Sequence, residues 1–112
     1  MTPKTLHILL ALLDGPLHGY GIKHAVEERT AGRVRLGPGT LYEAIQRLER
    51  DGLIEEVSAP ADEPAAGGPP RRFYSLTRTG RTSAADEVTR MADVVRFATD
   101  RKLVPRHPLP PT

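Results

Sequence analysis

Hydrophobic and polar positions alternate along this chain with the period of a helix in four places and with the period of a strand in three. Thr2 and Pro3 suit a cap and a first helical turn, and Leu6, Leu9, Leu10 and Leu13 then recur at helical spacing until Asp14-Gly15-Pro16 stops the run. A second helix is predicted from Gly19 to Thr30, with Ile22, Ala25 and Val26 on one face and Lys23, Glu27 and Glu28 on the other. Gly32 closes it, and the alternation Arg33-Val34-Arg35-Leu36 predicts a short strand. The third helix has the sharpest stripe, Leu41, Ala44, Ile45 and Leu48, with Gly52 as its stop signal. Its start reads in two ways: Pro38 as first helical residue after a Gly37 cap, which we favour, or a capping box of Thr40 with Glu43. Opposite the stripe lie Tyr42, Glu43, Gln46, Arg47, Glu49 and Arg50, a polar face for solvent or a polar partner.

Leu53 to Val57 predicts a strand, and Arg71 to Leu76 its antiparallel mate, with Phe73, Ser75 and Thr77 on one side and Tyr74 and Leu76 on the other. Ala59 to Pro70 between them, rich in Pro, Ala and Gly, fits no tight hairpin turn and is expected to form a long flexible tip. A last helix is predicted over Thr82 to Lys102, where Ala84, Val88, Met91, Val95 and Ala98 follow steps of four and three, the seam of a coiled coil. That seam either folds back on its own domain or pairs with a second copy, and a long helix on a small core favours the second. Leu103 to Thr112, with four Pro, is expected to be a disordered tail.

With 112 residues, 38% apolar and 4% aromatic, the chain holds one small core of Leu, Ile and Val plus an appendage, not two independent cores. The expected division is a compact domain over residues 1–80, a separate long helix over 81–102 and the tail over 103–112. The absence of Cys excludes disulfide scaffolds, thiolate metal sites and thiol nucleophiles. The histidines, at 7, 18, 24 and 107, lie at no metal-ligand spacing and are expected to be solvated or capping, so neither a metal nor a cofactor is expected. Ser58, Ser75 and Ser83 occupy no nucleophile elbow. Gly19-Tyr20-Gly21 and Gly37-Pro38-Gly39 lack the third glycine of a dinucleotide fingerprint and the Lys of a phosphate loop. Adjacent carboxylates, Glu27-Glu28 and Glu55-Glu56, point apart on a helix or strand. An enzyme is therefore not expected. The apolar run Leu6–Leu13 is too short to span a bilayer, and a soluble cytoplasmic protein without a membrane partner is the default.

The net charge of +2 decides little, but its distribution says more, because residues 64–85 hold Arg71, Arg72, Arg78 and Arg81 and no acid. Helix, helix, short strand, helix, strand, tip, strand is the order of a winged helix-turn-helix. The fold class expected is thus mainly α with a small antiparallel β wing and a C-terminal helix. Tyr42, Gln46 and Arg47 suit a major groove, where Gln pairs with adenine and Arg with guanine, and Arg71 and Arg72 suit phosphate or the minor groove. Glu43 and Glu49 repel phosphate, which keeps direct base contact narrow.

Leu17-His18-Gly19-Tyr20, Gly37-Pro38-Gly39-Thr40-Leu41-Tyr42, Arg47-Leu48-Glu49, Gly52-Leu53-Ile54 and Arg72-Phe73-Tyr74-Ser75-Leu76-Thr77 with Gly80 occur in this order, and over residues 5–82 the chain resembles the PadR family of bacterial transcriptional regulators. It departs from the family pattern at Gly21, Gly37 and Glu43. The resemblance implies a winged-helix domain, a C-terminal helix that builds a homodimer, and a mostly repressive role. It also implies that Tyr20, Gly39, Thr40 and Tyr42 approach double-stranded DNA, while Val88, Met91, Val95 and Ala98 meet the partner copy. Short members resemble proteins with aromatic effector pockets between subunits. With no Trp and only Phe97 on the final helix, a small-molecule effector stays an open expectation without identity. The competing reading is a winged-helix protein-interaction module without specific DNA binding.

Overall fold

The computed structural model describes residues 1–61 and 71–104. Residues 62–70 of the tip expected over 59–70, and residues 105–112 of the tail expected over 103–112, lie outside the described residues. Seven elements follow one another: α1 (Pro3–Ala11), β1 (Leu17–His18), α2 (Gly19–Arg29), α3 (Pro38–Arg50), β2 (Ile54–Val57), β3 (Phe73–Leu76) and α4 (Arg78–Asp100). The strands form one antiparallel sheet in the order β1-β3-β2, with Leu17 opposite Tyr74 and Ile54 opposite Leu76. The fold is a winged helix-turn-helix followed by a long helix.

The core is the set of stripes predicted from periodicity, closed over by the sheet. Ile22 and Val26 from α2 and Leu41, Ala44, Ile45 and Leu48 from α3 are buried together with Ile54, Tyr74 and Ala84. On α1 the stripe is rotated from expectation: Leu6, Ile8, Leu9 and Leu12 are buried, whereas Leu10 is only partly covered and Leu13 is exposed. In an almost uniformly apolar helix, periodicity leaves the inward face undetermined, and docking against α2 and α4 fixes it.

Helix ends follow local chemistry. The Thr2 hydroxyl accepts the Thr5 N–H at 3.2 Å and caps α1. Pro38 is the first residue of α3 after Gly37, as favoured, with no side-chain cap. The fourth helix begins at Arg78 rather than Thr82 and ends at Asp100 rather than Lys102. Thr77 accounts for the earlier start, since its Oγ1 accepts the Gly80 N–H at 3.0 Å while its hydroxyl donates to the Gly52 carbonyl at 2.6 Å. Thr77 thereby ties β3, α4 and the turn after α3 into one knot.

The strand expected at Arg33–Leu36 does not form. The Thr30 hydroxyl donates to the Val26 carbonyl at 2.8 Å and accepts the Val34 N–H at 3.1 Å, which holds this segment as a loop against the end of α2. Leu36 closes the loop by burial to 1% exposure. The third strand is instead Leu17–His18, two residues long, too short to show alternation in sequence and formed only because β3 lies beside it.

Candidate nucleic-acid interface

α3 presents two faces. Its apolar side is buried, and Tyr42, Glu43, Gln46 and Arg47 stand exposed on the other, Tyr42 at 66%. Gly39 and Thr40 are exposed in its first turn, and a Cβ at Gly39 would meet nothing within 4 Å, so this turn is open to a close approach. Because Gly37 carries no capping side chain, the backbone N–H groups here keep their donor capacity toward a ligand.

α2 enters beside this turn. His18 takes the expected capping role, with Nδ1 accepting the Gly21 N–H at 3.0 Å. Its ring meets Phe73 edge-on at 5.3 Å and stacks with Tyr20 at 6.4 Å, and Tyr20 stacks in turn with His24 at 6.4 Å and an interplanar angle of 4°. Tyr20 is 70% exposed, so its ring is held by neighbours along α2 rather than by the core.

The wing completes the arrangement. Arg71 Nη1 lies 3.1 Å from His18 Nε2, and Arg72 Nε lies 4.0 Å from a Glu56 carboxylate oxygen. A groove of about 570 Å³ runs between α2, α3 and the wing; His18, Tyr20, Lys23, Tyr42, Arg71 and Arg72 line it over a floor that includes Leu41, Ile45 and Tyr74. Lys23 is held by Glu27 at 3.3 Å. Burial first, then the Glu49 carboxylate, pushes the Tyr74 phenol above its ordinary value, while Arg72 pulls it back. Tyr74 therefore stays a neutral donor in the groove floor across the physiological range.

Of the residues singled out by sequence, Tyr20, Tyr42, Arg71 and Arg72 converge on this groove. Gln46 and Arg47 lie further along the exposed face of α3, on neither the groove wall nor the core. His18, Lys23 and Tyr74 belong to the groove but were not among the predicted site residues. His18 carried one signal, its place directly before a helix-starting glycine, whereas Lys23 reads as an ordinary solvated helix position. Val88, Met91 and Val95 are exposed on α4, at 43%, 51% and 58%, and Ala98 is half-buried. Among the described residues no helix is long and apolar enough to cross a membrane.

The model of the transcriptional regulator PadR-like family matches residues 8–86, more than half of the chain. The chain belongs to the PadR-like family. PadR-like proteins are transcriptional regulators and not enzymes. Transcriptional regulator Rv3488 of Mycobacterium tuberculosis is 32% identical over 91 residues, covering 81% of this chain and 78% of that protein. An uncharacterized 37.1 kDa protein in transposon TN4556 of Streptomyces fradiae is 41% identical over 85 residues, covering 76% of this chain, which spans only 22% of that longer relative. A PadR-like transcription factor of Bacteroides fragilis superposes with a TM-score of 0.69 at 24% identity over 86% of each chain. Bacillus subtilis PadR, solved in complex with operator DNA, gives a TM-score of 0.59 at 20% identity over 96% of this chain and 50% of that one.

Proposed function

We propose that this PadR-like regulator binds double-stranded DNA sequence-specifically in the cytoplasm, as a homodimeric repressor on a palindromic operator. The observation that carries the reading is the single face on which the exposed side of α3, Tyr20 and the wing-root arginines lie together. In this reading Gln46 and Arg47 read base edges, and Gly39, Thr40, Tyr20, Tyr42, Arg71 and Arg72 hold the backbone. The operator complex of Bacillus subtilis PadR supports it by analogy of fold. Residues 1–80 would form the DNA-binding domain, and 81–102 the dimerisation helix, where Val88, Met91, Val95 and Ala98 pack on the second copy. Half-sites are then about one helical turn or somewhat more apart. A small-molecule effector, if the regulator responds to one, has no identity in this reading.

Fluorescence anisotropy against the DNA upstream of its own gene, with scrambled DNA as control and two salt concentrations, tests the proposal. Specific binding with a steep salt dependence is expected. Gln46→Ala and Arg47→Ala each cost about 1–3 kcal/mol of discrimination. Equal weak binding to both DNAs, with no effect of Arg47→Ala, would favour a protein-interaction module instead.

A further inference from the structure

His18 meets two hydrogen-bond donors and has one lone pair to give them. Its Nδ1 lies 3.0 Å from the Gly21 backbone nitrogen, and its Nε2 lies 3.1 Å from Arg71 Nη1. A backbone N–H and a guanidinium both donate and neither accepts, whereas a neutral imidazole carries one lone pair and one N–H. With the proton on Nε2, the ring caps α2 and turns an N–H toward Arg71. With the proton on Nδ1, it accepts from Arg71 instead. The Gly21 N–H, a first-turn donor with no partner inside the helix, then loses its cap.

The ring is not free to turn away from this competition. The His18 backbone pairs with Phe73 in the β1–β3 ladder, and the ring meets Phe73 edge-on at 5.3 Å and stacks with Tyr20 at 6.4 Å. A Cβ at Gly21 would meet His18 Cε1 at 3.6 Å, so the ring lies in close contact with the turn that it caps. A hydrogen bond from a charged donor is roughly twice as strong as one from a neutral amide. The Arg71 end is exposed to water, however, while the Gly21 end is half-buried, and exposure weakens the charged bond. Neither donor dominates, and the lone pair is divided between them. The competition lies at the ring and holds whatever else the guanidinium contacts.

We propose that His18 is a positioning residue whose single lone pair passes between the cap of α2 and the wing-root Arg71, coupling the wing to the turn that carries Tyr20. When Arg71 turns to another acceptor, the lone pair goes to Gly21 and the first turn of α2 is firmed. The coupling is reciprocal, so a firm cap also releases Arg71 from the ring. Its use in DNA binding rests on the operator reading above, in which Arg71 meets the backbone; the competition in the free protein does not.

Nitrogen-15 NMR of the full chain at mildly alkaline pH, where imidazoles are neutral, reads the tautomer, because a ring nitrogen bearing a proton and one bearing a lone pair resonate far apart. In the parent, both His18 nitrogens are expected between these two limits. Arg71→Ala, at an exposed position, moves Nδ1 to the lone-pair limit and Nε2 to the N–H limit, and slows exchange of the Gly21 amide with water about fivefold. His18→Asn keeps a side-chain acceptor for the cap and offers nothing at the Nε2 position, so in that background Arg71→Ala leaves Gly21 exchange unchanged. An identical His18 tautomer in the parent and in Arg71→Ala overturns the proposal. Should His18→Asn melt well below the parent, the tautomer comparison decides alone. In a second arm, duplex DNA from upstream of the gene is added to the parent, and the ring is expected to shift as it does in Arg71→Ala. A duplex that binds without moving the ring overturns the coupling to DNA. A duplex that does not bind counts against the operator reading, and the free-protein comparison still decides the competition.

Discussion

At Gly80 the first turn of α4 presses so closely on the chain that a Cβ there would overlap the Leu53 carbonyl oxygen, with Leu76 Cδ1 only 2.8 Å away. The Leu53 backbone cannot yield, because its carbonyl also accepts the Thr77 N–H at 3.1 Å. Gly80→Ala is therefore expected to destabilise by about 2–3 kcal/mol, read from the midpoint of urea unfolding. Ala31 gives the opposite sign. It holds φ +53° just after α2, a conformation that costs an L-residue about 1–2 kcal/mol, so Ala31→Gly stabilises by about 1 kcal/mol in the same measurement. His7 makes folding pH-dependent: burial, then the Arg29 charge, holds its imidazole below the ordinary value of 6.5. Its neutral Nδ1 lies 2.9 Å from an Arg29 nitrogen, as an acceptor for that guanidinium. The unfolded chain thus binds the proton more readily, so stability is full above pH 6.5 and falls as the pH drops through the lower folded value. In His7→Gln, denaturant midpoints between pH 7 and 5 are expected to fall less steeply. Gly80 and His7 are both visible in the sequence, but the carbonyl and the guanidinium that give them consequence come from distant segments.

Elements, not single residues, decide how the wing is attached. β1 has only Leu17 and His18, and its partner is the middle strand β3, so one edge of the sheet is continuous with the start of α2. Thr77 performs the matching task at the other end, capping α4 while its hydroxyl bonds the Gly52 carbonyl across the junction. Thr77→Ala removes both bonds and should cost about 1–2 kcal/mol in thermal or urea unfolding. Thr77→Ser keeps them and should cost much less. The helices were legible because each carries a stripe, a cap or a stop signal. The strand at Leu17–His18 was not, because two residues contain no alternation, and the expected strand at Arg33–Leu36 lost to the Thr30 hydroxyl, a tie that alternation does not report.

At the scale of the molecule, α4 extends past its last buried residue, Ala84, with Val88, Met91 and Val95 in water. In the proposed homodimer these side chains are the seam, and the helix supplies the two-fold relation that sets the spacing of the recognition helices. Met91→Glu together with Val95→Glu is expected to halve the mass measured by light scattering and to weaken operator binding more than scrambled-DNA binding. A parent chain that already scatters as a monomer would remove the dimer from the proposal. Neither substitution touches the core, so unfolding of the winged domain should remain cooperative.

The sequence by itself determined the number and order of the helices, the apolar faces of α2 and α3, the family and the basic, acid-poor stretch at the wing root. These are local quantities, set by period, capping chemistry and turn residues within a few positions of one another. Only the tertiary structure decided which side of α1 is buried, where the third strand lies, why Gly80 tolerates no Cβ, and that His18 and Arg71, 53 positions apart, meet at 3.1 Å on the wall of one groove. Those depend on which distant segments come to rest side by side, and a pattern read along the chain holds no term for that.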